Sequence, residues 1–153
     1  RPRRTPSLEF VVDTMEGLMR FETGVHVDAP AQRVWQVMTD VAAWPEFTPT
    51  MTEVRPLDGG PLAVGARVRI KQPKIPPLVW TVTELTPYRS FTWAATTGGV
   101  RITAGHVLDG DTTVTLSIEQ SGLLSPLLAL FTAGRTRAYV RTEAESLKRR
   151  CET

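Results

Sequence analysis

One histidine of the sequence belongs to a strand pattern that carries it towards an apolar face. His106 has the same parity as Ile102 and Leu108 within residues 100–108, and alternate residues of a strand share one face. A histidine in an apolar cavity can donate a hydrogen bond to a ligand oxygen, or serve as an acid or base near neutral pH. Alternatively, His106 has only a structural role and forms its hydrogen bonds with a neighbouring strand or with water. The pattern does not decide between the two roles.

Two further groups could join this histidine in proton transfer. Glu84 shares the parity of Trp80 and Val82, so its carboxyl group lies either at the rim of the sheet or in a cavity, where burial would raise its pKa. Tyr139 lies on the final helical segment and carries a phenolic hydroxyl. The predicted catalytic residues are therefore His106, Glu84 and Tyr139.

The sequence lacks the motifs of several other kinds of chemistry. It has no glycine-rich phosphate loop and no GxSxG nucleophile motif. The two histidines, His26 and His106, have opposite predicted facing and cannot share a metal ion. Cys151 is the single cysteine, so no internal disulfide forms. We predict neither a metal nor a cofactor.

Length and charge limit the class of protein. The chain of 153 residues suits one domain. Its net charge is +2, and six of its 18 Lys and Arg residues lie within residues 1–4 and 148–150. The remainder is slightly acidic, so we predict no nucleic-acid partner. No apolar run is long enough to span a membrane and no signal peptide is visible. We expect a cytoplasmic monomer or weak homodimer, with no membrane contact indicated.

Hydrophobic periodicity predicts an α+β fold. A first strand pattern precedes two short helical segments, at residues 31–38 and about 40–44. Six further strand patterns, joined by tight turns, follow between residues 52 and 120, which indicates an antiparallel meander. Residues 1–17 form either a flexible leader or an extra N-terminal element, and the domain itself occupies residues 18–153.

The final helical segment, from residue 125 to about 150, presents an unusual stripe to the sheet. The first half of the stripe carries the small side chains Ala129, Ala133 and Thr136. Bulk arrives only at Val140. Small residues opposite large aromatic ones can leave unfilled volume, whereas a tight core would use Leu or Ile. The alternative is that tryptophans of the sheet fill this space. The predicted ligand contacts are Trp80, Phe91, Trp93, His106, Gln120, Ala133, Thr136 and Val140.

The start of this helix is apolar on every side. Leu127 and Phe131 point away from the stripe that faces the sheet. They could line the mouth of a cavity, contact a membrane or a partner protein, or pack under the loop around residues 44–49.

Five stretches of the chain match a known family in their order and spacing. The first is VHVDAPAQRVWQVMTDVAAWPEFTPTMTEV, at residues 25–54. It is followed by PLAVGARVRI, VWTVTEL, SFTWAA and GHVLDGDTTVTLSIEQSGLLSPL. Together they resemble the START-like superfamily (SRPBCC), in its polyketide cyclase/dehydrase-like branch. The resemblance implies the helix-grip fold, a curved antiparallel sheet of about seven strands around a long C-terminal helix. It also implies a ligand-binding cavity for lipids, polyketides, quinones or hormone-like molecules.

Three functions are compatible with these patterns. The first is a carrier or sensor that binds an apolar, ring-containing molecule of lipid, polyketide or quinone type between sheet and helix. The second is a polyketide aromatase/cyclase-type enzyme that uses His106 as an acid or base. The third is a protein or membrane interaction module that works through the apolar start of the last helix.

Overall fold

The computed structural model describes the backbone of residues 8–13, 18–122 and 125–153, and the side chains of residues 20–122 and 134–153. The strands are β1 (Leu8–Asp13), β2 (Leu18–His26), β3 (Glu53–Pro56), β4 (Arg67–Gln72), β5 (Ile75–Thr86), β6 (Ser90–Thr97), β7 (Val100–Leu108) and β8 (Thr113–Ser121). The helices are α1 (Ala31–Thr39), a 3-10 helix (Val41–Glu46) and α2 (Ser125–Glu152).

All eight strands form one antiparallel sheet, with the order β1-β2-β8-β7-β6-β5-β4-β3. From β4 onward each strand pairs with the one before it in the chain, as expected of a meander. β2 pairs with β8, and the two short helices span the connection from β2 to β3 at the far edge. The predicted helix-grip fold is therefore confirmed, because a curved sheet wraps the long C-terminal helix.

The strand β1 forms one edge of the sheet. It pairs with β2 along its whole length, from Leu8 opposite Thr23 to Asp13 opposite Leu18. It adds an eighth strand to the seven that the sequence predicted. Residues 1–7 and 14–17 lie outside the described part of the chain, so the prediction for them stays a prediction.

The helix α2 lies across the sheet and contacts β2 and β8. Val140, Ala144 and Leu147 are buried against the core, as their spacing of four and three residues requires. The end of the helix is fastened to the loop before α1, because the Glu152 carboxylate accepts a hydrogen bond from the backbone N–H of Asp28 at 2.7 Å. The second half of α2 is thus held in position over the sheet.

Candidate functional site

An aromatic cluster surrounds His106 on the inner face of the sheet. Phe91 and His106 are cross-strand partners in the β6–β7 pair, and their rings stack with centroids 4.0 Å apart and planes 9° apart. Trp93 lies edge-on to the imidazole at 5.4 Å, and Trp44 lies tilted to it at 5.9 Å. Trp80 extends the cluster through its contact with Trp93 at 6.0 Å. The imidazole is therefore part of a continuous aromatic wall.

The hydrogen bond of His106 determines which of its nitrogens is basic. The residue is 6% exposed, and its Nδ1 lies 3.2 Å from the carbonyl oxygen of Phe91. The neutral imidazole therefore donates from Nδ1 and keeps an acceptor lone pair on Nε2. Burial lowers the pKa of His106 to about 4, and the bond to Phe91 opposes this shift in part. Near neutral pH, His106 is an uncharged hydrogen-bond acceptor.

A carboxylic acid that the sequence reasoning missed faces the same interior. Glu143 of α2 is half-buried, and its Oε1 accepts a hydrogen bond from Nε2 of Gln72, at the end of β4, at 3.2 Å. Burial raises the pKa of Glu143 to about 7, and the bond from Gln72 opposes this shift in part. The available signal was its spacing, three residues after Val140 and four before Leu147, which is the inner face of the helix.

An inner cavity of about 20 Å³ joins the imidazole and this carboxyl group. Its lining residues are Met38, Trp44, Phe47, Thr48, His106, Leu116, Glu143 and Leu147. This volume holds about one water molecule.

Glu84 does not reach the interior, so of the two positions that the sequence left open, the rim of the sheet and a cavity, the structure excludes the cavity. The register of the β5–β6 pair shifts between Val82 and Glu84, where a bulge interrupts the alternation. Beyond the bulge Glu84 is exposed, and Leu85 packs against the core in its place. Strict alternation could not reveal this, because a single extra residue reverses the facing of every residue that follows.

Tyr139 lies on α2 but outside the inner cavity. Its hydroxyl donates to the carbonyl oxygen of Pro73, in the turn between β4 and β5. One helical turn further along α2, Glu143 is bonded to Gln72. These two bonds fasten the middle of α2 to the end of β4. Tyr139 thus helps to position α2, and its predicted part in proton transfer stays a prediction.

The remaining predicted ligand contacts fall into three groups. Those buried within the sheet and on the inner face of α2 are Trp80, Phe91, Trp93, Gln120 and Val140. Thr136 is half-buried. The side chain of Ala133 lies outside the described part of the chain.

A larger cleft of about 680 Å³ lies away from His106 and Glu143. It runs between the two short helices and the β3–β4 and β5–β6 connections, with Trp35 and Tyr88 in its walls. Its acidic and basic side chains are exposed, and none of the predicted site residues lines it. We therefore place the candidate site in the interior, where His106 and Glu143 line one cavity.

The described residues offer no metal site and no reactive thiol. No cluster of three or more His, Cys, Asp and Glu side chains there could hold a metal ion. Burial raises the pKa of the Cys151 thiol to about 11, so this thiol is protonated and unreactive. Over the same stretches, no helix is both long and apolar enough to cross a membrane.

The curved sheet, the enclosed helix and the aromatic interior define a helix-grip protein of the START-like class. The family model described as "Polyketide cyclase / dehydrase and lipid transport" matches residues 19–152. The chain belongs to this family, which confirms the resemblance seen in the sequence. Family and fold together mark it as a hydrophobic ligand-binding protein of the SRPBCC type. No curated protein matches the sequence.

Solved structures share the fold at low sequence identity. Major latex-like protein 151 from ginseng (Panax ginseng) is 12% identical, with a TM-score of 0.67 over 88% of this chain and 97% of that one. A hypothetical protein from Helicobacter pylori is 14% identical, with a TM-score of 0.66 over 88% of this chain and 87% of that one. The di-domain ARO/CYC BexL, from the BE-7585A biosynthetic pathway, is 17% identical, with a TM-score of 0.68 over 92% of this chain. The chain spans about half of that protein, 52% of its length.

Proposed function

We propose that the chain binds an apolar, ring-containing small molecule between the sheet and α2, as a carrier or sensor. The observation that carries this proposal is the aromatic wall of Phe91, Trp93 and Trp80, which ends at two titratable groups that line one cavity, the buried His106 and the half-buried Glu143. Small-molecule sites combine apolar and aromatic contact with a few polar groups that fix orientation. The family description, which includes lipid transport, supports the same ligand type.

The ring system of the ligand is proposed to lie along Trp80 and Trp93, facing α2. The inner cavity holds one water-sized group, so only a polar end of the ligand would enter it. The sequence places the small residues Ala129 and Ala133 in the first half of α2, and small side chains opposite aromatic ones favour unfilled volume for the ring.

Filling the interior at Val140 should abolish binding of a neutral apolar dye. Val140 is 5% exposed on the inner face of α2, so Val140→Phe adds bulk where the ring is proposed to lie. We expect wild-type protein to enhance Nile red fluorescence, and the variant to bind the dye at least about tenfold more weakly.

Val79→Phe provides the matched control, because Val79 is 45% exposed on β5. It should bind Nile red as the wild type does, and the thermal stability of both variants should be recorded alongside. If the wild type neither takes up Nile red nor carries a co-purified molecule in a native mass spectrum, the proposal is overturned.

A second candidate function is proton transfer of the aromatase/cyclase type. The observation that favours it is that His106 and Glu143 line one cavity. The pKa of Glu143 is about 7, and an acid or base works best when its pKa is near the working pH. Glu143 would then take the proton from the α-carbon of the substrate and deliver it to the carbonyl oxygen. The neutral imidazole of His106 would accept a hydrogen bond from the enol that results.

Exchange of the α-hydrogens of 2-tetralone in D₂O, followed by NMR, tests this second function. An enzyme of this kind should accelerate exchange at least about tenfold over buffer, and Glu143→Gln should abolish the acceleration. His106→Ala should lower it while Nile red still binds. Exchange at the buffer rate with wild-type protein would leave only the binding function.

The third predicted function, interaction through the apolar start of α2, stays a prediction. The side chains of Leu127 and Phe131 lie outside the described part of the chain.

A further inference from the structure

The polar lining of the inner cavity includes no cation. Its polar side chains are Thr48, His106 and Glu143, and its other lining residues are apolar. The imidazole is uncharged near neutral pH because burial lowers its pKa. Among the residues whose side chains the structure describes, no lysine or arginine lines this cavity.

Nearby cations on β4 and α2 are directed elsewhere. Lys71, beside Gln72, donates from its ammonium group to backbone carbonyls at the end of β4 and the start of β5. Arg150 lies over the ring of Phe47 at 5.4 Å and pairs at 3.4 Å with a glutamate of the 3-10 helix. A carboxylate or phosphate in the inner cavity would therefore meet Glu143 without a compensating cation.

The size of the inner cavity also limits which group of a ligand can enter it. Its volume of about 20 Å³ suits one water-sized group, and a hydroxyl has that size. A hydroxyl can donate to a Glu143 oxygen or to Nε2 of His106, and so replace the hydrogen bonds that a water would make. A carboxylate is larger, and it would lose its hydration without gaining a partner.

We infer that the inner cavity selects ring-bearing ligands whose terminal group is a neutral hydroxyl donor (a phenol, an enol or an alcohol), and that it rejects carboxylates. This inference rests on the proposed function, because the ring must bind between the sheet and α2 for its end to reach His106 and Glu143. Gln72 holds the Glu143 carboxyl group in place, so the acceptor is positioned before a ligand arrives.

An ammonium group is the other donor of suitable size. It would form an ion pair with ionised Glu143, but the cost of burying both charges roughly cancels their attraction. A hydroxyl gives up less hydration on entering the cavity. The neutral donor is therefore the expected ligand class.

A series of naphthalene probes at about pH 8 tests the inference through quenching of tryptophan fluorescence. The probes are naphthalene, 2-naphthol, 2-methoxynaphthalene, 2-naphthoic acid and 2-naphthylmethylamine. We expect wild-type protein to bind 2-naphthol about tenfold more tightly than its methyl ether, which lacks the donor. We expect 2-naphthoic acid to bind at least about tenfold more weakly than naphthalene, because its charge has no partner.

Variants of Glu143 test whether this residue causes the preference for a hydroxyl group. In Glu143→Leu the ratio of the 2-naphthol and 2-methoxynaphthalene affinities should fall to within about threefold. This ratio compares two probes on one protein, so a general loss of packing does not change it. Glu143→Met, which has a similar length and no oxygen acceptor, serves if the leucine variant does not fold. Glu145→Leu, at an exposed position on the same helix, should keep the wild-type ratio.

The possible outcomes separate the inference from the proposed function. Equal binding of naphthalene, 2-naphthol and the methyl ether would retain ring binding and overturn the hydroxyl selection. Tightest binding of the ammonium or the carboxylate probe would overturn it as well, and would identify the charge that the site prefers. Failure of every probe to bind would overturn the proposed function and, with it, this inference.

Discussion

The Glu143→Gln variant is expected to gain stability relative to the wild type as the pH rises. The difference between their free energies of unfolding should grow by about 3 kcal/mol between pH 4.5 and about pH 7. Burial raises the pKa of Glu143 from 4.5 to about 7 in the folded protein, so the native state keeps a proton that the unfolded chain has released. The contribution of this proton to stability is complete below pH 4.5 and is lost as the pH rises through the folded pKa. Glutamine has no such proton to lose.

His106 makes the free energy of unfolding depend on pH in the opposite direction to Glu143. Burial lowers its pKa from 6.5 to about 4, so the unfolded chain binds a proton over a range in which the folded protein does not. The wild type should therefore lose about 3 kcal/mol relative to His106→Gln as the pH falls from 6.5 to about 4. In the wild type the two slopes offset each other between pH 4.5 and 6.5, so the single variants are needed to reveal them.

Urea unfolding of wild type and variants across this pH range provides the measurement, through the free energy of unfolding extrapolated to water. Glu145→Gln is the control, because Glu145 is exposed on the same helix and should follow the wild-type curve. Parallel curves for wild type and Glu143→Gln would contradict the expectation, and would show that water solvates the Glu143 carboxyl group.

Truncation of Trp93 is expected to destabilise the protein by about 3–5 kcal/mol. Its side chain is 2% exposed and touches the rings of Trp44, Trp80, Phe91 and His106, so Trp93→Ala removes the centre of the aromatic wall. Thermal and urea unfolding would measure the loss. A loss below about 1 kcal/mol would mean that the wall is not packed as described.

The same variant has a second expected result, which concerns His106. Water entering the space left by Trp93 should hydrate the imidazole, and its pKa should rise from about 4 towards 6.5. NMR titration of the His106 ring proton would follow this shift. Tyr88→Ala, at a position 57% exposed, is the control. It should leave the titration unchanged and alter stability by less than about 0.5 kcal/mol.

Strand parity predicted the facing of part of the interior correctly. It placed Phe91, Trp93 and His106 on the inner face, and all three are buried there. It placed Glu84 wrongly, because the bulge in β5 is a property of the pairing with β6 and leaves no mark in the alternation of β5. Glu143 was overlooked although its helical spacing is that of an inward residue, since an acidic residue on such a stripe is normally solvated.

The sequence by itself determined the family, the antiparallel order and the long C-terminal helix. Hydrophobic period, turn residues and strand spacing are local properties of the chain, and they indicate the antiparallel strands and the long helix. The family followed from the resemblance of five sequence stretches to a known family. Only the tertiary structure decided which polar groups share the interior. Gln72 and Glu143 are 71 residues apart in the chain, and the tertiary fold brings the end of β4 within hydrogen-bonding distance of α2. The pKa values of Glu143 and His106 likewise depend on burial by side chains from several elements, and no single segment encodes that burial.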